Sequence, residues 1–138
     1  MGAPASVTFD AKGHLLLLTR GAQPFFEFDE NGTFIRAFGD GLFTRAHGVR
    51  LDGDGNIWAT DVGAHVVYKL NPQGQVLLAL GRKGEAGEWN EAAGSRKLNQ
   101  PNDVAMSVAT GVPAAMVRSS AHAIASGART GSTTRRAR

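Results

Sequence analysis

LDGDGNIWATDVGAHVVYKLNPQGQVLLALG, residues 51–81, repeats a pattern that the chain has already used once. The earlier copy, FDAKGHLLLLTRGAQPFFEFDENGTFIRAFG, occupies residues 9–39, and the two copies align without a gap at an offset of 42 residues. Glycines hold the same places in both copies, as Gly39 and Gly81 do. Self-similarity at a fixed period of this length predicts a repeat architecture.

Each copy consists of short apolar or alternating segments separated by turns. With the few residues that precede each copy included, the second unit contains GVRLD, NIWATD, VVYKL and VLLALG, and the first unit contains VTFD, HLLLLT, FFEFD and FIRAFG. The tripeptides AKG, ENG, GDG and PQG between them are turn signals, because glycine adopts positive φ without steric cost. Four short strands in about 40 residues are typical of a β-propeller blade.

A third unit begins at QPNDVAM, where Asn102-Asp103-Val104 takes the place of His47-Gly48-Val49. The 138 residues therefore encode about two and a half four-stranded blades, and we predict an all-β, incomplete β-propeller. Propellers close with about four to eight blades. We therefore expect further blades from another chain, or self-association, to cover the open ends.

The repeat pattern stops after Gly111. Residues 112–138 are rich in Ala, Ser and Arg and contain no acidic residue. We therefore divide the chain into propeller blades over 1–111 and a disordered or irregular basic tail over 112–138. A shift of reading frame near Gly111 is an alternative explanation of the abrupt change.

The net charge of +3 does not indicate a nucleic-acid-binding face. All 12 acidic residues lie in residues 1–103 with ten of the 15 Lys and Arg, so the basicity belongs to the tail. The absence of cysteine excludes disulfides and a thiol nucleophile. No segment approaches the about 18 apolar residues of a membrane helix. The start MGAPASVTF carries no export signal, which leaves the compartment open.

Three stretches resemble the peptidyl-α-hydroxyglycine α-amidating lyase family. AHGVRLDGDGNIWATDVGAHVVYKLNPQGQVLLALG and LNQPNDVAM are similar to motifs of that family, and LLLLTRGAQPFFEFDENGTFI resembles its preceding blade. The resemblance covers about residues 7–111. It implies a six-bladed propeller built of NHL-type repeats.

The resemblance also implies a reaction and a site. Enzymes of this family cleave a peptidyl-α-hydroxyglycine substrate into a peptide amide and glyoxylate, with Zn²⁺ held by three histidines from different blades. By this resemblance His47 is a zinc ligand, Val49 offers its carbonyl oxygen to a structural Ca²⁺, and Arg20 is the catalytic arginine that contacts the substrate. These residue types suit the chemistry, because zinc binds imidazole, calcium binds carbonyl oxygens and a guanidinium binds carboxylates.

The chain departs from the family pattern in several places. It has no motif for the other two zinc histidines, the second arginine or the catalytic tyrosine, and Tyr68 matches a strand position instead. We therefore expect an inactive fragment of such a lyase. The alternative is a non-catalytic NHL-repeat scaffold that binds a protein partner. Asp61 is expected to fix a turn, and Trp58 to pack between strands.

Overall fold

The structure, a computed structural model, describes residues 1–107, 114–119 and 123–126. Every helix or strand assigned in these residues is a β-strand. The first sheet contains β1 (Pro4–Phe9), β2 (Leu15–Thr19), β3 (Phe25–Phe28) and β4 (Phe34–Phe38). The second contains β5 (Ala46–Leu51), β6 (Ile57–Asp61), β7 (Val66–Leu70) and β8 (Val76–Leu80). A hairpin of β9 (Trp89–Asn90) and β10 (Ser95–Arg96) precedes the third sheet of β11 (Pro101–Ser107), β12 (Ala114–Ser119) and β13 (Ala123–Ser126).

The three sheets are antiparallel meanders whose strands pair in chain order. All eight strands predicted from the two repeat copies are present, which confirms the prediction of an all-β chain built of blades. The turns between them begin at Asp10, Asp29, Asp52 and Asn71, each of which accepts main-chain N–H bonds through its side chain. The part of the chain that the structure describes contains no helix of the length and apolarity that a membrane span requires.

The sheets are arranged with their first strands together. Strand β5 contacts both β1 and β11, so the first strands form the inner edge of the assembly. The fourth strands, β4 and β8, lie on the outside, where Phe34 and Leu77 are each 55% exposed. A row of inner strands with the sheets extending outward is the arrangement of propeller blades around an axis.

Apolar cores fill the spaces between neighbouring sheets. Because side chains alternate along a strand, β6 directs Ile57 and Ala59 into the core with the first sheet and Trp58 into the core with the third. In the first core Phe25 is completely buried and stacks on Phe38 with ring centroids 4.9 Å apart. The second sheet is thus covered on both faces, and Trp58 has the packing position expected of it.

The third sheet continues into the segment for which the sequence predicts an irregular tail. Strands β12 and β13 lie within residues 112–138; β12 pairs with β11, and β13 pairs with β12. Strand pairing uses main-chain groups that almost every residue carries, so a composition unlike that of the other blades does not prevent it. The remaining parts of that segment, and the change of pattern at Gly111, lie outside the described residues. The domain boundary therefore stays a prediction.

Candidate functional site

A one-residue bulge interrupts the inner strand of each sheet at the same place. The residues outside the regular register are Ala5 in β1, His47-Gly48 in β5 and Asn102 in β11. Ala5, His47 and Asn102 occupy equivalent positions of the repeat. Bulges redirect side chains and are frequent beside functional sites. In the second sheet the bulge presents an imidazole, whereas the neighbouring sheets present a methyl group and an amide.

An open cavity of about 410 Å³ lies beside these bulges. Its lining residues come from the inner strands β5 and β11 and from loops beside all three sheets: Arg20, Arg45, His47, Val62, Gly63, Gln100 and Asn102. The structure therefore brings together Arg20 and His47, which the sequence assigned separately. It adds Arg45, which no motif singled out, although its place two residues before His47 is a signal that could have found it.

The imidazole of His47 is fixed by the third sheet. Its Nδ1 lies 3.0 Å from the main-chain oxygen of Asn102. Because a carbonyl oxygen only accepts hydrogen bonds, Nδ1 donates here, and Nε2 of the neutral ring keeps its lone pair. An imidazole held in this way by a backbone carbonyl is oriented for metal ligation through its other nitrogen.

The two arginines reach the cavity from different elements. Arg20 follows β2, and its Nε donates to the Ala46 carbonyl oxygen over 3.1 Å, next to the bulge. Arg45 precedes β5, and its main-chain N–H donates to the Asp61 carboxylate over 2.9 Å. A guanidinium is charged at all ordinary pH values. The cavity therefore combines two positive charges with one imidazole and suits an anionic ligand.

Asp61 holds the loops that shape this cavity. Its carboxylate is completely buried and accepts N–H bonds from Thr44 at 2.7 Å, Arg45 at 2.9 Å, Gly63 at 3.0 Å and Ala64 at 2.9 Å. These contacts are those of a residue that fixes turns, as the sequence predicts.

Val49 lies away from the cavity, in the core between the first two sheets, and is 1% exposed. Its carbonyl oxygen accepts a bond from Arg50 Nη1 over 3.2 Å, and Arg50 Nη2 lies 3.3 Å from Asp103 Oδ2. A cation at this oxygen would meet the guanidinium charge. Calcium ligation by Val49 would therefore require Arg50 to move, and it stays a prediction.

The other candidate groups in the described part of the chain lie elsewhere. The ring Nδ1 of His65 accepts the N–H of Gln100 over 3.1 Å, and His14 contacts Glu27 in the first sheet. Tyr68 is 6% exposed in the first core, where burial raises its pKa and the Asp61 carboxylate raises it further. Among the histidines with a described position, His47 is therefore the one that lines the cavity; His122 lies outside the described residues.

The amino-acid sequence was compared with those of known proteins. No family model matches the chain. Peptidyl-glycine alpha-amidating monooxygenase of Mus musculus is 36% identical over 112 residues, which cover 75% of this chain and 11% of the mouse protein. A probable peptidyl-alpha-hydroxyglycine alpha-amidating lyase of Caenorhabditis elegans is 44% identical over 55 residues, 39% of this chain and 16% of the worm protein. The resemblance found in the sequence is thereby confirmed.

These relatives are much longer than the chain. It spans between 8% and 16% of the length of the curated relatives that it matches. Among solved structures, streptogramin B lyase superposes with a TM-score of 0.59 at 13% identity, over 90% of this chain and 40% of that chain. At such an identity the likeness shows the fold alone, and the fold is that of a β-propeller.

Proposed function

Because the chain is a homologue of the amidating lyases over part of their length, we propose that it is one portion of a propeller that cleaves peptidyl-α-hydroxyglycine into a peptide amide and glyoxylate. The observation that carries the proposal is the shared cavity of Arg20 and His47. The chain by itself supplies one wall of the site. Further blades supply the rest, so that a single copy of the chain is inactive.

His47 is the zinc ligand of this proposal. Its Nδ1 is engaged by the Asn102 carbonyl oxygen at 3.0 Å, so Nε2 is the ligating atom. When bound, zinc supplies Lewis-acid polarisation of the substrate's α-hydroxyl group. One imidazole is an incomplete ligand set, since catalytic zinc sites use about three protein ligands. The remaining ligands come from the further blades.

Arg20 and Arg45 bind the substrate's carboxylate. The Nε of Arg20 is used by the Ala46 carbonyl oxygen, which fixes the guanidinium plane and leaves the two terminal nitrogens for a ligand. Paired N–H groups match the two oxygens of a carboxylate. We propose that Arg20 makes this bidentate contact and that Arg45 contributes a second positive charge at the cavity rim.

Calcium ligation by the Val49 carbonyl oxygen remains a prediction, since the Arg50 guanidinium occupies that oxygen in this structure. Calorimetric titration of the purified 138-residue chain with zinc tests the proposed role of His47. The matched control is His47→Asn, which introduces the residue that the third sheet carries at the equivalent bulge.

We expect the variant to lose one binding event that the wild type shows. Equal zinc binding by both proteins would contradict a ligand role for His47 and would favour the alternative of a non-catalytic NHL-repeat scaffold. Release of glyoxylate from a peptidyl-α-hydroxyglycine by a monomer of the chain would contradict the proposal that further blades are needed.

We propose that a second copy of the chain supplies those blades. In the second sheet Val49 is covered by the first sheet, whereas its equivalent in β1, Val7, is 46% exposed and Phe9 on the same face is 62% exposed. Two copies supply six sheets, a number within the range of about four to eight blades that closes a propeller. Light scattering after size exclusion tests this. We expect a dimer that Phe9→Ser weakens, and a monomer at all concentrations would contradict self-association.

A further inference from the structure

Three side chains that can ligate a metal lie together in the first sheet, outside the inner-strand cavity. Nδ1 of His14 lies 3.6 Å from Asp10 Oδ2 and 3.2 Å from Glu27 Oε1. One nitrogen and two carboxylate oxygens all lie within 4.8 Å of one another. Asp10 and His14 come from the turn between β1 and β2, and Glu27 comes from β3, which pairs with β2.

Each carboxylate uses one oxygen for the fold and turns the other toward His14. Asp10 Oδ1 accepts the N–H groups of Lys12 at 2.8 Å and His14 at 2.9 Å. Glu27 Oε2 accepts from Arg36 Nε at 2.6 Å, and Arg36 also donates to the Pro72 carbonyl oxygen of the second sheet. Outer hydrogen bonds of this kind orient metal ligands. The three inward atoms are thus held in place by bonds that a bound ion would not need to break.

The second sheet shows which groups surround the equivalent carboxylate there. There the equivalent of Asp10 is Asp52, whose Oδ2 accepts the indole N–H of Trp58 at 3.0 Å and lies 3.8 Å from the ammonium of Lys69. The first sheet has Leu16 and Glu27 where the second has Trp58 and Lys69.

The first sheet has therefore replaced the Trp58 donor and the Lys69 cation by Arg36, which stands where the second sheet has Leu78, and has gained a carboxylate. His14, which stands where the second sheet has Asn56, is a ligand of the kind that transition metals accept. The first sheet thus places two carboxylates and an imidazole where the second sheet places one carboxylate.

We propose that Asp10, His14 and Glu27 bind a divalent transition-metal ion of zinc-like ligand preference. In a tetrahedral zinc site with bonds of about 2.0 to 2.1 Å, neighbouring ligand atoms are about 3.3 Å apart. The separations of 3.2 and 3.6 Å at His14 match this value. A cavity of about 50 Å³, lined by these three residues, adjoins the cluster and leaves room for water at a fourth position.

The charge state of the cluster suits a cation. Burial by itself would raise the pKa of Glu27, but hydrogen bonds from Arg36 and His14 outweigh it and hold this pKa below its ordinary value of 4.5. The carboxylate is therefore ionised at neutral pH. Metal binding engages the imidazole Nδ1 lone pair, with the proton on Nε2, and so replaces the hydrogen bond from His14 while the bond from Arg36 remains.

Such an ion would be structural. It would fasten the β1–β2 turn to β3, and Arg36 would connect it to the second sheet through Pro72. A ligand that binds the folded state alone stabilises it by mass action. We therefore expect zinc or cobalt to raise the midpoint of thermal unfolding.

The second sheet supplies the test variants. His14→Asn and Glu27→Lys place in the first sheet the residues that the second sheet carries at the same positions. Because Glu27→Lys also removes the ion pair with Arg36, His14→Asn is the decisive variant. Cobalt(II) absorption in the visible range reports a tetrahedral site that includes a nitrogen ligand, and calorimetry reports the zinc affinity. His47→Asn is the control, since it removes the only described histidine at the other proposed site.

We expect wild type and His47→Asn to show the tetrahedral cobalt spectrum and the rise in melting temperature. Both His14→Asn and Glu27→Lys should lose them while keeping the wild-type circular dichroism. Unchanged cobalt binding in His14→Asn would overturn the proposal. The absence of any metal-dependent spectrum in the wild type would overturn it as well and would leave His14 as a plain ion-pair partner of the two carboxylates. Because the readout is spectroscopic, neither result depends on the proposed lyase function.

Discussion

The Nδ1 atom of His47 donates a hydrogen bond to the main-chain oxygen of Asn102, 3.0 Å away, and thereby joins the bulges of two neighbouring inner strands. The same oxygen lies 3.4 Å from Oγ1 of Thr60, a donor from β6. The residue proposed to bind metal thus also connects the second sheet with the third, and its two roles can be separated by substitution.

We expect His47→Ala to lower the free energy of unfolding by about 1 kcal/mol, the usual net value of one hydrogen bond. Urea denaturation followed by tryptophan fluorescence measures this change. His47→Gln, which can donate from its side-chain amide, should lose less stability. A loss above about 3 kcal/mol would place His47 among core residues instead.

Asp61→Ala should be among the most destabilising substitutions in the chain. The change leaves the N–H groups of Thr44, Arg45, Gly63 and Ala64 without the buried carboxylate that they share. Bonds to a charged group contribute about 1.5 to 3 kcal/mol each and are not additive, so we expect a loss of at least about 3 kcal/mol. Urea denaturation measures it, with the exposed Asp54→Ala as control. A loss equal to that of the control would refute the role assigned to Asp61.

Asp52 should make folding sensitive to acid. Burial would raise the pKa of its carboxyl group, but bonds from the Trp58 indole and from the N–H groups of Asn56 and Asp54 lower it below the ordinary value of 3.8. A depressed folded-state pKa means that the contribution to stability is complete above the unfolded value and is lost as the pH falls through the folded pKa.

The stability difference between wild type and Asp52→Asn should therefore be constant near neutral pH and should shrink below about pH 4. Urea denaturation at a series of pH values measures it. The indole N–H resonance of Trp58 should shift over the same interval in the wild type. A difference that does not vary with pH would show that the carboxylate charge is unimportant for stability.

Alanine substitutions at Gly81 and Gly84 distinguish the cost of backbone strain from the cost of steric crowding. Both have positive φ, +96° and +80°, so alanine is strained at either position. A Cβ at Gly81 would lie 2.5 Å from the carbonyl oxygen of His65, whereas a Cβ at Gly84 would meet nothing within 4 Å. We expect Gly84→Ala to cost about 1 kcal/mol and Gly81→Ala clearly more. Equal losses of stability, measured by thermal or urea unfolding, would show that the main chain around Gly81 shifts to accommodate the added Cβ.

The strands and the turns could be read from the sequence, because both depend on local properties. Period-two alternation and turn residues such as Asp10 and Gly13 recur at a fixed offset of 42 residues, so one copy confirms the other. The third sheet was harder to predict. Its strands β12 and β13 lack the composition of the earlier blades, and pairing through the main chain leaves no side-chain signature.

The sequence by itself determined that this chain is a row of blades and that one of them carries a histidine at its inner strand. Only the tertiary structure decided what that histidine and the other polar groups contact. Whether Glu27 faces His14, and whether His47 meets Asn102, depends on strand register and on where a bulge reverses the alternation of side chains. The partners are 13 and 55 residues apart. A local sequence pattern does not show that residues so far apart in the chain meet in space, because these contacts arise from strand register and from the packing of whole sheets against one another.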